Sequence, residues 1–107
     1  MTSLYLPVKE VDVEFLVFVE RYATDLLKWD ILSFYGRQPD FYGQSAEIAQ
    51  QIGRSPQVIR PELGNLALLG ILRQQPAAAG EFTYQLTNEP KLRGLTIKLA
   101  NTQLANA

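Results

Sequence analysis

Ser45 to Leu72, SAEIAQQIGRSPQVIRPELGNLALLGIL, is the stretch that most narrows what this chain can become. Two short apolar-periodic segments are separated by Gly53-Arg54-Ser55-Pro56, and the run closes on Leu69-Gly70-Ile71-Leu72. Ser45 is a good N-cap, because its hydroxyl can accept from a free amide of a first turn, and Glu47 follows where a carboxylate suits the helix dipole. Ile48, Ala49 and Ile52 fall on one face, and Gly53 can take the left-handed conformation that stops a helix. Ser55 then caps a second helix with Pro56 at its first position, where the missing amide costs nothing. Ile59, Leu63, Leu66 and Leu69 or Gly70 recur at helical intervals and form one buried face. The stretch predicts a helix, a tight turn and a second helix.

Beyond Gly70 the period changes. Ile71 to Gln75 has the makeup of a strand, Pro76 to Gly80 that of a hairpin loop, and Phe82-Thr83-Tyr84-Gln85-Leu86 alternates strictly, as a half-exposed returning strand does. Helix, turn, helix and hairpin is the order of a winged helix. The residues LGNLALLGILRQ and then GEFTYQLT resemble the leucine and wing pattern of bacterial winged helix-turn-helix regulators of the MarR-like and ArsR-like kind, over Leu26 to Thr87. The resemblance is one of pattern and carries no chemical fingerprint. The expected fold is mainly α with a small antiparallel β-wing, a winged helix-turn-helix with extra N- and C-terminal helices. A single domain is expected over residues 1–107, with the helix-turn-helix at 45–70, the wing at 71–87 and terminal helices at 12–22 and 89–104.

The flanks fit this frame. Ser3 to Val8 is expected to be an extended lead-in, since Pro7 discourages regular structure. Asp12 caps a helix containing Phe15, Leu16, Val17, Phe18 and Val19 in one block, apolar nearly all round. Either the chain's own termini wrap it or part of it meets a second subunit. Thr24 or Asp25 restarts a helix bearing Leu27, Ile31, Phe34 and Tyr35 on one face, with Trp29 as a core or interface anchor; Ala23-Thr24 leaves open whether the two helices are separate. Gly36 is expected to end it. Phe41-Tyr42-Gly43 can form a short strand against the wing. Asn88 is expected to cap a final segment with Leu92, Leu95, Leu99 and Ile97 as its apolar residues, and Asn101 to Ala107 to fray.

Composition removes whole classes of function. With neither histidine nor cysteine among 107 residues, the Ser-His-Asp and Cys-His sites, imidazole acid-base catalysis and thiolate or imidazole zinc sites have no ligands to work with. The seven glycines are dispersed, and none falls in a phosphate-cradling GxGxxG or GxxxxGK. The expectation is a chain that is not an enzyme and has no cofactor or metal site. No apolar run approaches the roughly 18 residues of a membrane span, and MTSLYLPVKE lacks the regions of a signal peptide. A cytoplasmic location is therefore expected, with no membrane partner. Formal net charge is −1, but residues 1–50 carry eight acids and four bases whereas residues 51–107 carry three acids and six bases. The basic half contains the second helix and the wing.

The resemblance implies that the helix beginning at Ser55 enters the major groove of duplex DNA, with its N-terminal residues forward and the hairpin tip on the phosphates or the minor groove. Gln57, Arg60, Pro61 and Asn65 would then face outward, Arg60 able to contact guanine and Gln57 adenine. Arg54, Ser55 and the free amides of the first turn can hold a phosphate, and Arg73 or Gln75 can add a backbone contact. Added terminal helices imply a homodimer, through Phe15, Phe18, Leu95 and Leu99. Pro61 departs from the pattern: it removes a hydrogen bond to the Gln57 carbonyl, so either the helix bends or its regular part begins at Pro61. That departure, with a wing tip of Pro76 and three alanines, keeps open a second reading as a protein-interaction module without DNA binding.

Overall fold

A computed structural model describes residues 12–106, with side chains described through Thr102. The lead-in expected at Ser3 to Val8 lies outside the described residues. Asp12 caps α1 (Val13–Tyr22): its carboxylate accepts from the Phe15 amide at 3.0 Å, and Glu14 and Arg21 sit where their charges complement the helix dipole. Ala23 and Thr24 separate α1 from α2 (Leu26–Arg37), which Asp25 caps through the Lys28 amide at 2.9 Å. These are two helices.

Along α2, Ile31, Leu32, Phe34 and Tyr35 are buried, and Trp29 is half-buried against the same core. The expected stop at Gly36 does not occur. The helix runs on to Arg37, and Gly36 is where it packs against α5 (Pro90–Asn106). A Cβ at Gly36 would run into the Thr96 carbonyl oxygen and lie 2.7 Å from the Ala100 Cβ, so the glycine permits a close helix crossing. Tyr35 reaches the other way, its hydroxyl donating to the Tyr84 carbonyl at 2.8 Å.

Between α2 and α5 the chain forms β1 (Tyr42–Gln44), α3 (Ser45–Ile52), α4 (Pro56–Leu68), β2 (Leu72–Pro76) and β3 (Phe82–Leu86). The sheet is antiparallel in the order β1-β3-β2, with Gly43 opposite Tyr84 and Gln74 opposite Tyr84 on the other side. Strands β1 and β2 each begin one residue later than the sequence suggests. Ile71 stays buried as the link into β2, its carbonyl accepting from Thr87 at 2.9 Å. Gln44, not Ser45, is the N-cap of α3: its amide donates to Glu47 Oε1 at 2.8 Å, and Ser45 is buried as the first helical residue. The buried stripe of α4 is Ile59, Leu63 and Leu66; Leu69 and Gly70 are exposed, and Gly70 turns the chain at φ 86°.

The cap of α5 is Glu89, not Asn88, since its carboxylate accepts from the Leu92 amide at 2.8 Å and the Lys91 amide at 3.2 Å. The helix continues to Asn106, past its expected end. Two of the four residues assigned to a subunit interface, Phe18 and Leu99, are placed differently from expectation. Phe18 and Leu99 are fully buried in the chain's own core, and Phe15 and Leu95 are half-buried against it. The cause is the close crossing at Gly36, which draws α5 onto α2, together with Lys91–Glu14 and Lys98–Asp12 ion pairs that bring α1 onto α5. What α1 exposes is Val13, Leu16 and Val17.

Candidate nucleic-acid interface

The turn between α3 and α4 is built locally. Gly53 takes φ 74°, and the Arg54 amide donates back to the Ala49 carbonyl at 2.9 Å, closing the C-terminus of α3. Ser55 caps α4: its hydroxyl oxygen accepts from the Gln57 amide at 3.2 Å and its hydroxyl donates to Gln57 Oε1 at 2.6 Å. Pro56 occupies the first helical position. The regular helix does not begin at Pro61: α4 runs from Pro56 to Leu68 with Pro61 inside it. Gln57 and Pro61 are both exposed, so the carbonyl that loses its partner lies on the watered side of the helix.

Opposite the buried stripe, α4 exposes Gln57, Val58, Arg60, Pro61 and Asn65. Arg54 and Ser55 are exposed at its N-terminal end, but the Arg54 guanidinium is bound to the Asp30 carboxylate of α2 at 2.6 Å. Lys28 likewise ties α2 to Glu62 of α4 and to its own cap Asp25, and these carboxylates raise its pKa.

The wing turns through Ala78–Gly80, with Ala79 left-handed at φ 60° and the Ala77 amide donating to the Glu81 carbonyl at 2.8 Å. Arg73 and Gln75 are exposed on β2, but successive strand residues point to opposite faces, so they lie on the far side from Gln74. Gln74 lines both of the hollows that flank α4. One, of about 560 Å³, is bounded by Pro61, Gly64, Asn65, Ala67 and Leu68. The other, of about 350 Å³, is bounded by Ser45, Arg60, Glu81, Phe82 and Tyr84. The structure thus places Arg60 and Asn65 in separate hollows of the trough between α4 and the wing, with Gln74 common to both, and leaves Arg73 and Gln75 outside it. Ser45, Gln74, Glu81 and Tyr84 are trough residues that their sequence context does not single out. The alternation of Phe82, Tyr84 and Leu86, which puts them on one face, is the signal that could have found Tyr84.

Charge pairing decides where the basic half of the chain is open. Of its six basic residues, Arg54, Lys91, Arg93 and Lys98 are in ion pairs with Asp30, Glu14, Asp40 and Asp12. Among the described residues, Arg60 and Arg73 form none. The basic residues of this half left unpaired therefore sit on α4 and the wing, where Glu81, also unpaired among the described residues, lies beside Arg60.

Two packed helices, a glycine-closed turn between them, an open outer face on the second and a three-stranded wing define a winged helix-turn-helix fold. Known structures share it. The antimony-specific transcriptional repressor AntR superposes with a TM-score of 0.63 at 19% identity, covering 94% of each chain. A MarR-family transcriptional regulator from Rhodococcus gives 0.60 at 13% identity, over 83% of this chain and 64% of that one. YusO from Bacillus subtilis gives 0.59 at 14% identity, over 98% and 75%. No protein-family model matches the sequence, and no curated protein matches it. At these identities the likeness is one of fold. Among the described residues no helix is long and apolar enough to cross a membrane.

Proposed function

We propose that this chain is a transcription regulator that binds duplex DNA as a homodimer, with α4 in the major groove and the wing against the backbone. The observation that carries the reading is the placing of unpaired cationic charge: of the two basic residues of the second half without an acidic partner, Arg60 stands on the exposed polar face of α4 and Arg73 on the outer face of the wing. In this reading Gln57 and Asn65 face base edges, while Ser55 and the first-turn amides of α4 take a phosphate. Arg54 contributes from its bridge to Asp30, and Arg73 and Gln75 meet the backbone from the outer face of the wing. Several fold neighbours are described as transcriptional regulators or repressors, which supports the same role. The antimony of one neighbour's name does not carry over readily, because these 107 residues contain no thiolate for a soft element. The second copy is proposed to cover the exposed Val13, Leu16 and Val17 of α1.

A second reading, a protein-interaction module, is favoured by Val58 and Leu68, exposed apolar residues on the same helix, with Leu68 88% exposed. Retention on a mixed pool of duplex DNA at low salt separates the two. Binding that falls steeply as salt rises supports DNA recognition, because each phosphate contact releases counterions. Binding indifferent to salt, or absent at about 50 mM salt, rejects it in favour of the interaction module.

A further inference from the structure

The smaller hollow beside α4 is a built polar site. Tyr84 is 5% exposed, and its main chain is fixed by the Tyr35 hydroxyl on one side and by the pairing with Gln74 and Gly43 on the others. Its ring stands on the sheet face that looks at α4, and among the described residues its hydroxyl makes no hydrogen bond to protein. Burial, the largest influence on it, raises its pKa, so at neutral pH the phenol keeps its proton and is a donor. Arg60 and Glu81 both lie within electrostatic reach of that hydroxyl, acting in opposite directions. Ser45, 3% exposed, brings a second hydroxyl from the first turn of α3, and Gln74 an amide from β2.

Donors from four elements therefore line about 350 Å³, one of them a cation, with the acceptor carboxylate of Glu81 beside them. A guanidinium, a neutral phenol, an alcohol and an amide directed into one polar hollow suit a singly charged tetrahedral oxyanion. They do not suit an apolar ligand. Arg60 shares this hollow with the wing residues Gln74, Glu81 and Tyr84. We infer that this hollow seats one backbone phosphate of the duplex, held by Arg60 and Tyr84, and that Glu81 sets how tightly by opposing it. Arg60 is then a phosphate contact, and base reading falls to other residues of α4. This rests on the DNA-binding reading given above.

The test measures affinity against salt for a duplex selected from a random pool and for a scrambled duplex of the same length. Phosphate seating predicts that Arg60→Ala weakens both duplexes alike and lowers the salt slope by about one. Tyr84→Phe, which keeps the ring, should weaken both roughly tenfold with the slope unchanged, the value of a hydrogen bond to a charged group. Glu81→Gln should tighten both, by about two- to fivefold, as one half-buried like charge is removed. A change in Arg60→Ala confined to the selected duplex, with its slope intact, assigns Arg60 to a base and overturns the inference while leaving DNA binding in place. Unchanged affinity in Tyr84→Phe and Glu81→Gln overturns it equally, and Glu81→Gln decides the matter should Tyr84→Phe melt early. A parent that binds neither duplex refutes the DNA reading itself, and the phosphate seat with it.

Discussion

Alanine substituted at two helical glycines should have opposite effects, and the sign is set by what each new methyl group meets. In a helix interior Gly→Ala gains roughly 0.5–1 kcal/mol from reduced backbone freedom in the unfolded chain. At Gly64 in α4 nothing lies within 4 Å of a built Cβ, so that gain should appear in full. At Gly36 the same methyl meets the Thr96 carbonyl and sits 2.7 Å from the Ala100 Cβ, where carbon atoms ordinarily approach to about 3.5–4.0 Å. Helices α2 and α5 must part by about 1 Å, and the obstacle is backbone that cannot turn aside. Overpacking of this kind costs about 1–3 kcal/mol, leaving a mid-range net loss of about 1 kcal/mol after the gain in helix propensity. For a chain of this size that lowers Tm by about 5 °C, whereas Gly64→Ala should raise it by about 2–5 °C. Thermal unfolding tracked by circular dichroism, repeated with urea, reads both. A Gly36→Ala variant that melts at or above the parent refutes the close crossing of α2 and α5, and with it the reason Leu99 lies inside.

Other variants probe separate parts of the molecule. Leu66→Ala empties a fully buried position on α4 and should cost about 2–5 kcal/mol in urea unfolding; a parent-like midpoint would mean the helix does not pack on this face. Asp25 has its pKa lowered, first by the Lys28 amide it caps, so its contribution is present above its ordinary value of 3.8 and lost as pH falls through the lower folded value. The stability advantage of the parent over Asp25→Ala should accordingly be full near neutral pH and shrink in acid; an advantage that persists unchanged well below that value contradicts the assigned cap. Leu16→Glu, at an exposed position on α1, should leave melting of the single chain intact and shift sedimentation toward monomer. An unchanged sedimentation coefficient would remove α1 from the proposed subunit contact.

The elements legible from the sequence are those whose causes are local. Gly53 to Pro56 carries its own stop, cap and starting proline within one short turn, and Phe82 to Leu86 declares its strand by alternation. Gly36 misleads because its reason lies far along the chain, at Thr96, while its neighbours offer only the ordinary habit of glycine to end a helix. The same remote contact explains Phe18 and Leu99: their apolar character is plain, but whether the cover is a second subunit or the chain's own helix depends on how closely α5 can approach. Caps slip by one residue at Ser45 and Asn88 because a neighbouring Gln44 amide and Glu89 carboxylate make the bonds instead. At the candidate site, Arg60 is visible as an outward residue of α4, whereas Ser45, Gln74 and Tyr84 join it only once the wing has folded back. Polarity alone recommends Arg73 and Gln75, and strand parity puts them on the other face.

Helix α2 grips the helix-turn-helix and wing at three places: Asp30 holds Arg54 in the turn, Lys28 holds Glu62 on α4, and Tyr35 holds β3. Turn, α4 and wing are thereby fastened to a common beam. Tilting that beam carries all three together and preserves the gap between them. In the proposed dimer, such a tilt would alter how far apart the two α4 helices stand, while the outer face of each stays as it is.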